Sequence, residues 1–252
     1  MKLYIITGAS RGLGAALAEA LIDPDHRLVC MARSKAPLAA LRQRAKAQGC
    51  RVAALAVDLS DPQKAVAALK KALAGVDPAT CTAACLINNA GVVEPIGPAD
   101  KLLPDEITAG VLVNLAAPMA LTAAFLHLAA DWRASRKVLN ISSGAAHKAY
   151  AGWSMYSATK AALDQFTRCV ALEQQARPNG ARIVSLAPGT IDTAMQAAVR
   201  NTLLEDFAEK PRFVALKKSG QLTPPAQAAQ SLLRYLERPD FGATPVDDVR
   251  KV

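Results

Sequence analysis

Six short apolar runs recur along the chain, each separated from the next by room for a helix, and no other feature limits the fold as severely. They are "KLYIIT" from Lys2, "RLVCMA" from Arg27, "RVAALAV" from Arg51, "ACLIN" from Ala84, "KVLNIS" from Lys137 and "RIVSLA" from Arg182. Strands this short and this continuously apolar suit a parallel sheet covered on both faces. The intervening segments are alanine-rich and helical in pattern, from "LGAALAEALI" at Leu13 to "PAQAAQSLLRYLE" at Pro225. Strand, helix, strand order repeated in this way predicts an α/β fold, a doubly wound domain with a mostly parallel sheet flanked by helices. A hydrophobic content of 52% over 252 residues is ample for its core. No Gly/Ser linker, low-complexity segment or fixed repeat divides the chain, so one domain is expected over 1–252. Residues 196–222 change character: they are more charged and contain Pro211. A substrate loop or lid fits that position, and so does a plain surface excursion.

Between the first strand and the first helix stands "TGASRGLG", with glycines at 8, 12 and 14. Glycine there permits a tight turn and close approach of backbone to a diphosphate, while the helix N-terminus offers free N–H groups and positive potential. The spacing is Gly-x-x-x-Gly-x-Gly, which differs from the common dinucleotide fingerprint.

A second arrangement lies in "WSMYSATK". Tyr156 and Lys160 are one helical turn apart, so both side chains can serve one site. A free phenol titrates near pH 10, and a cation that lowers it by about three units contributes roughly 4 kcal/mol toward the anion. Tyr156 would then exchange a proton near neutrality. A half-buried ring beside a solvated charge is the bland alternative at this spacing.

"TGASRGLG", "NNAG" at 88–91, Asn114, Ser143, the Tyr156/Lys160 pair and "PGTIDT" at 188–193 together resemble the short-chain dehydrogenase/reductase family. Their order and intervals match across about four fifths of the chain. The resemblance implies a Rossmann-type domain, a nicotinamide cofactor and hydride transfer between carbonyl and alcohol. It implies catalytic roles for Asn114, Ser143, Tyr156 and Lys160. Tyr156 would protonate the carbonyl oxygen, Ser143 would steady that oxygen, Lys160 would lower the phenol pKa and bind ribose, and Asn114 would hold a relay water. Ser143 is preferred to Ser142 because it precedes Tyr156 by the family's interval. The cofactor would meet Gly8, Ser10, Arg11, Gly12, Leu13 and Gly14, then Asp58 at the adenine, Asn89, Ala90 and Gly91 in the cleft, and Pro188, Gly189, Ile191 and Thr193 at the nicotinamide end. One of Asn88 and Asn89 is expected to serve only strand-end hydrogen bonding.

The second strand ends "CMARSK", so Arg33 stands where an NAD-binding acid would be, with Arg11 able to approach from the glycine loop. Guanidinium forks suit a 2′-phosphate, which predicts NADPH over NADH. Within the family, "GW" at 152–153, "DTAMQ" at 192–196 and the ending "FGATPVDD" resemble the sepiapterin reductases and bacterial benzil reductases. That implies Trp153 and Met195 beside the substrate and Asp247 as an anchor for it. The alternative for Asp247 is a solvated acid paired with Arg250 or Lys251. The expected activity is NADPH-dependent reduction of an activated carbonyl: an α-dicarbonyl, an aromatic ketone or a pterin side-chain ketone. A non-catalytic NADPH-sensing or scaffold protein on the same fold is the rival reading.

Lys and Arg number 30 against 21 acids, a net charge of +9, which could serve nucleic acid, a membrane surface or an anionic small ligand. Aromatics are only 4%, and neither a zinc-finger spacing nor a basic heptad helix is present, so nucleic acid is disfavoured. The longest apolar stretch, from Val111 to Ala130, is interrupted by Asn114, Pro118, Thr122 and His127, which favours a buried or subunit-facing helix over a membrane span. "LYII" is too short for the apolar region of a secretory signal, and five unpaired-looking cysteines fit a reducing compartment, so a cytoplasmic location is expected. Cys81 and Cys85 lack a nearby His or second Cys pair, and no metal site is expected. His26, His127 and His147 match no motif position. The apolar helices following Asn114 and Tyr156 resemble the family's subunit interface, which predicts a homodimer or homotetramer.

Overall fold

Alternation along β1 (Lys2–Thr7) already divides the molecule into two cores. Tyr4 and Ile6 point to one face of the sheet, Leu3 and Ile5 to the other, and all four are buried. The same alternation sends Cys85 and Ile87 one way and Ala84 and Leu86 the other in β4 (Ala83–Asn88). The computed structural model describes residues 1–251; Val252, the last residue of the expected domain, lies outside the described residues.

The remaining strands are β2 (His26–Ala32), β3 (Arg51–Ala56), β5 (Ser135–Ile141), β6 (Arg182–Ala187) and β7 (Val246–Asp248). All neighbours pair in parallel, in the order β3-β2-β1-β4-β5-β6-β7. Helices α1 (Gly12–Ala20), α2 (Lys35–Ala47) and α9 (Pro225–Glu237) pack on the Tyr4/Ile6 face. Helices α3 (Pro62–Leu73), α5 (Ala117–Leu128) and α6 (Ser154–Gln175) cover the other. This is a single Rossmann-type α/β domain, as the six apolar runs predict.

Chain order reverses between β1 and β4, so the helices leaving these strands diverge and leave a crevice at the strands' C-terminal ends. Helix α4 (Pro104–Val111) joins α5 through a π-helical turn at Leu112–Ala116, giving one continuous helix over Pro104–Leu128. That helix has 25 residues, and an 18-residue window within it reaches a mean hydropathy of 1.8, long and apolar enough to cross a membrane by length and composition. In the fold, Ala117, Leu121 and Phe125 face the second core. Two further helices, α7 (Ala194–Asn201) and α8 (Lys210–Lys218), belong with a third, smaller apolar cluster of Val93, Ala145, Trp153, Tyr156, Val199, Phe207 and Phe213.

The seventh strand is absent from the sequence expectations. It is three residues long, two of them acidic, and exists because β6 offers an open edge with which Val246, Asp247 and Asp248 align.

Candidate active site

The crevice is a cleft of about 570 Å³ whose walls come from the loops after β1, β2, β3, β4, β5 and β6. At one end the glycine turn forms its floor. Gly8 has φ +70°, a conformation that penalises a side chain, and a Cβ there would stand 2.9 Å from Asn89 Nδ2. A Cβ on Gly14 would overlap the Gly8 carbonyl oxygen itself. These glycines thus keep backbone N–H groups at the start of α1 open to the cleft, a cradle that suits a diphosphate. Ser10, Arg11, Gly12 and Leu13 line the same end, together with Arg33 from the end of β2 and Asp58 from the loop after β3. The Asp58 carboxyl accepts the Ser60 amide at 3.0 Å, which holds its pKa below the usual range, with Arg33 adding to the effect.

"NNAG" divides between architecture and site. Asn88 is buried and donates to Thr122 Oγ1 at 3.0 Å and Asn140 Oδ1 at 2.8 Å, which is the strand-end role expected of one of the pair. Asn89 donates to the Thr7 carbonyl at 2.9 Å and lines the cleft beside Ala90 and Gly91.

At the other end, Tyr156 and Lys160 both project from α6 into the cleft, as their spacing predicts. Both are buried, and Lys160 Nζ donates to the Ile141 carbonyl at 2.7 Å. Burial pushes the Lys160 ammonium down to about 8, opposed by the charge of Asp164 one turn further along α6. Asp164 continues the stripe begun by Tyr156 and Lys160, and that spacing could have identified it from sequence. It accepts Ser142 Oγ and Ser185 Oγ, each at 2.6 Å, so Ser142 serves the packing of α6. Ser143 lines the cleft next to Tyr156, its Oγ accepting the Ala145 amide at 3.2 Å.

The phenol departs from expectation. Burial raises the Tyr156 pKa, and the Ser143 hydroxyl is the opposing influence. Lys160 Nζ donates to the Ile141 carbonyl and lies 6.0 Å from the centre of the Tyr156 ring.

Asn114 lies in the π turn and is fully buried behind the cleft wall. Its Oδ1 accepts the Val92 amide at 2.8 Å and its Nδ2 donates to the Val92 carbonyl at 2.8 Å. The amide therefore clamps the loop after β4 to the helix. It remains near the lysine: a Cβ on Gly91 would stand 3.4 Å from Asn114 Oδ1 and 3.7 Å from Lys160 Nζ. Pro188, Gly189, Ile191 and Thr193 line the wall after β6, and Thr193 Cγ2 closes on Gly12, to whose Cβ position it would be 3.3 Å.

Trp153 and Met195 line the end nearest Tyr156, joined by Phe213, Tyr150 and Val93, which the sequence alone did not single out. Trp153 stacks on Phe207 at 4.7 Å between ring centres, and Arg212 and Phe213 of the 196–222 segment line this end of the cleft. Asp247 is elsewhere. Paired with Leu186 in the β7 register, it faces α9, and its carboxylate accepts the Tyr235 hydroxyl at 2.8 Å. The strand's alternation explains the correction, since residues of β7 on either side of Asp247 must face away from α9. Nor does Asp247 pair with Arg250: Asp248 does, through Nε at 2.8 Å, and Arg250 lines the cleft.

Residues 2–204 match the family model for short chain dehydrogenase. A benzil reductase, (S)-benzoin forming, from Bacillus cereus is 36% identical over 96% of this chain and 96% of its own length. A sepiapterin reductase from Meriones unguiculatus is 34% identical over 94% of this chain and 92% of its own. Among solved structures, the KRED1-Pglu enzyme superposes with a TM-score of 0.83 at 28% identity, covering 97% of this chain and 99% of that one. A short-chain dehydrogenase from Sphingobium yanoikuyae in complex with NADPH gives 0.77 at 26% identity, covering 98% of this chain and 87% of that one. The chain belongs to the short-chain dehydrogenase/reductase family and is an oxidoreductase acting on CH–OH and C=O groups.

Proposed function

We propose that this enzyme is an NADPH-dependent carbonyl reductase whose substrate carbonyl is activated, as in an α-dicarbonyl, an aromatic ketone or a pterin side-chain ketone. The observation that carries the reading is the meeting of Tyr156, Ser143 and Lys160 at one end of a cleft whose other end is a glycine cradle flanked by Arg11 and Arg33. NADPH, when bound, supplies the hydride. The cradle of Gly8, Gly12 and Gly14 would hold its diphosphate, Arg11 and Arg33 the 2′-phosphate, and Asp58 the adenine. Lys160 would bind the nicotinamide ribose, with Asn89, Ala90, Gly91, Pro188, Gly189, Ile191 and Thr193 lining the remaining contact surface.

Tyr156 Oη gives its proton to the carbonyl oxygen as negative charge develops there. Ser143 Oγ donates to the same oxygen, a prepositioned donor of the kind whose loss costs roughly 3 to 4 kcal/mol in the barrier. Asn114 holds the loop after β4 and supports a water path by which Tyr156 regains its proton. Trp153, Met195 and Phe213 supply an apolar wall that favours an aryl or flat substrate. Asp247 has no part in substrate binding. The Bacillus cereus relative's benzil reduction supports a diketone, and the sepiapterin reductases support a pterin ketone.

The protein would act in the cytoplasm as a homodimer or homotetramer, its basic character serving an anionic small molecule and neither nucleic acid nor a membrane. Exposed Met119 on α5 and Leu172 on α6 suit an apolar contact between copies. The direct test is NADPH oxidation by the purified protein with diketones, aldehydes, quinones and sepiapterin. Turnover of at least one class with NADPH is expected; none with any class, while NADPH binds, would favour the sensing or scaffold role.

A further inference from the structure

Two arginines rim the substrate end of the cleft. After β7 the chain turns back, and Arg250 lies along the loops that carry the catalytic serine. A Cβ on Gly189 would stand 3.6 Å from Arg250 Cδ, and a Cβ on Gly144, which follows Ser143, would stand 4.0 Å from Nη2. The Asp248 carboxylate fixes the guanidinium from behind, accepting Nε at 2.8 Å as well as Nη2, and also accepts the Arg250 amide at 3.0 Å. Nη1 donates to no acceptor among the described residues.

Arg212 approaches from α8. It lies over the Phe213 ring at 5.6 Å, and Nη1 is shared between Tyr150 Oη and Glu209 Oε2, each at 3.3 Å. Its Nε and Nη2 have no acceptor among the described residues. Tyr150 ties Arg212 to the catalytic end: its hydroxyl takes the Arg212 bond, and its ring packs on Trp153 at 5.1 Å, which packs on Tyr156 at 5.5 Å. Both arginines are more than half exposed; Arg250 neutralises the mostly buried Asp248 with one edge of its guanidinium and keeps Nη1 toward the cleft, while the partner of Arg212, Glu209, is itself exposed. Besides Asp58 beside Arg33, the cleft is lined by one carboxylate, Glu94.

We propose that Arg250, aided by Arg212, is a specificity-determining anion site, and that the substrate is a carbonyl compound bearing a carboxylate near the reacting carbonyl. This rests on the carbonyl-reductase reading. Arginine presents a rigid fork that matches a carboxylate with two parallel hydrogen bonds, and a fork already oriented by Asp248 loses little freedom on binding. With the carbonyl between Tyr156 and Ser143, a group one or two bonds away on the Gly144 side meets Arg250, while the aryl portion rests on Trp153 and Phe213.

The test compares phenylglyoxylate with its methyl ester, at low ionic strength, in wild type, Arg250→Gln, Arg212→Gln and the distant surface variant Arg234→Gln. Wild type should favour the acid in kcat/KM by about tenfold or more, the size expected of a charge-assisted pair. That ratio should collapse in Arg250→Gln, fall several-fold in Arg212→Gln and persist in Arg234→Gln. A wild-type ratio at or below one overturns the proposal. So does a ratio unchanged in Arg250→Gln, including the case in which that variant loses only NADPH affinity. Calorimetry of acid and ester binding to the NADP+-loaded protein provides a readout without turnover. If no carbonyl is reduced, the reductase reading fails, and preferential binding of the acid, lost in Arg250→Gln, still decides the anion site.

Discussion

At the scale of single residues, Arg33 and Lys160 give the sharpest expectations. Arg33 stands beside Asp58 on the cleft wall, and in the proposed binding mode it would meet the part of the cofactor in which NADPH and NADH differ. Arg33→Ala should weaken NADPH binding by about 1.5 to 3 kcal/mol and leave NADH nearly unchanged, as fluorescence titration of both would measure. Equal losses would contradict the NADPH assignment. In the proposed mechanism Tyr156 gives up a proton and Lys160 binds the ribose as an ammonium, so both groups must carry their protons. Burial raises the phenol but lowers the lysine to about 8, so the lysine is the group that deprotonates first as pH rises. The kcat/KM for carbonyl reduction should therefore hold through neutrality and fall as pH climbs through about 8. Lys160→Arg keeps its charge at those pH values and should lack that alkaline limb, even at a lower overall rate; the same limb in the variant would contradict the assignment.

Among the elements, the ones that were legible in the sequence are those whose local pattern and burial agree. The run "RIVSLA" and helix "PAQAAQSLLRYLE" have the observed limits to the residue, because each is apolar on the faces that the sheet and α9 bury. The Tyr156/Lys160 pair was legible because helical spacing is local. What escaped depends on distant partners. The π turn at Leu112–Ala116 looks like uninterrupted apolar helix in sequence, and accompanies the bonding of Asn114 to the Val92 backbone, 22 positions away. β7 is a short acidic segment in sequence, and which of its acids meets Tyr235 and which meets Arg250 depends on its pairing with β6. Gly152 illustrates how such contacts build the substrate end: its φ is +88°, and a Cβ there would overlap the Asp206 carbonyl and stand 3.2 Å from Phe207. Gly152→Ala should displace the 203–207 turn from Trp153 and destabilise the fold by about 1 to 3 kcal/mol, read as a lower midpoint in urea. An unchanged midpoint would mean that this turn is not held against the cleft.

For the whole molecule, the parallel sheet fixes where chemistry can occur, since all the loops that carry site residues emerge at one edge of it. The proposed assembly would use the outer faces of α5 and α6, where Met119 and Leu172 are exposed. Light scattering coupled to gel filtration should give a mass of two or four chains, and Leu172→Asp should shift it downward; a monomer at micromolar concentration would contradict the proposed assembly. The central claim is that Tyr156 is the proton donor in a hydride transfer supported by the cleft around it. The most direct measurement is Tyr156→Phe, assayed for both NADPH binding and carbonyl reduction. The account predicts NADPH affinity within about twofold of wild type and a fall in kcat of about a thousandfold or more, the upper part of the range for loss of a general acid. Near-normal kcat in that variant would contradict it, because another group would then be supplying the proton.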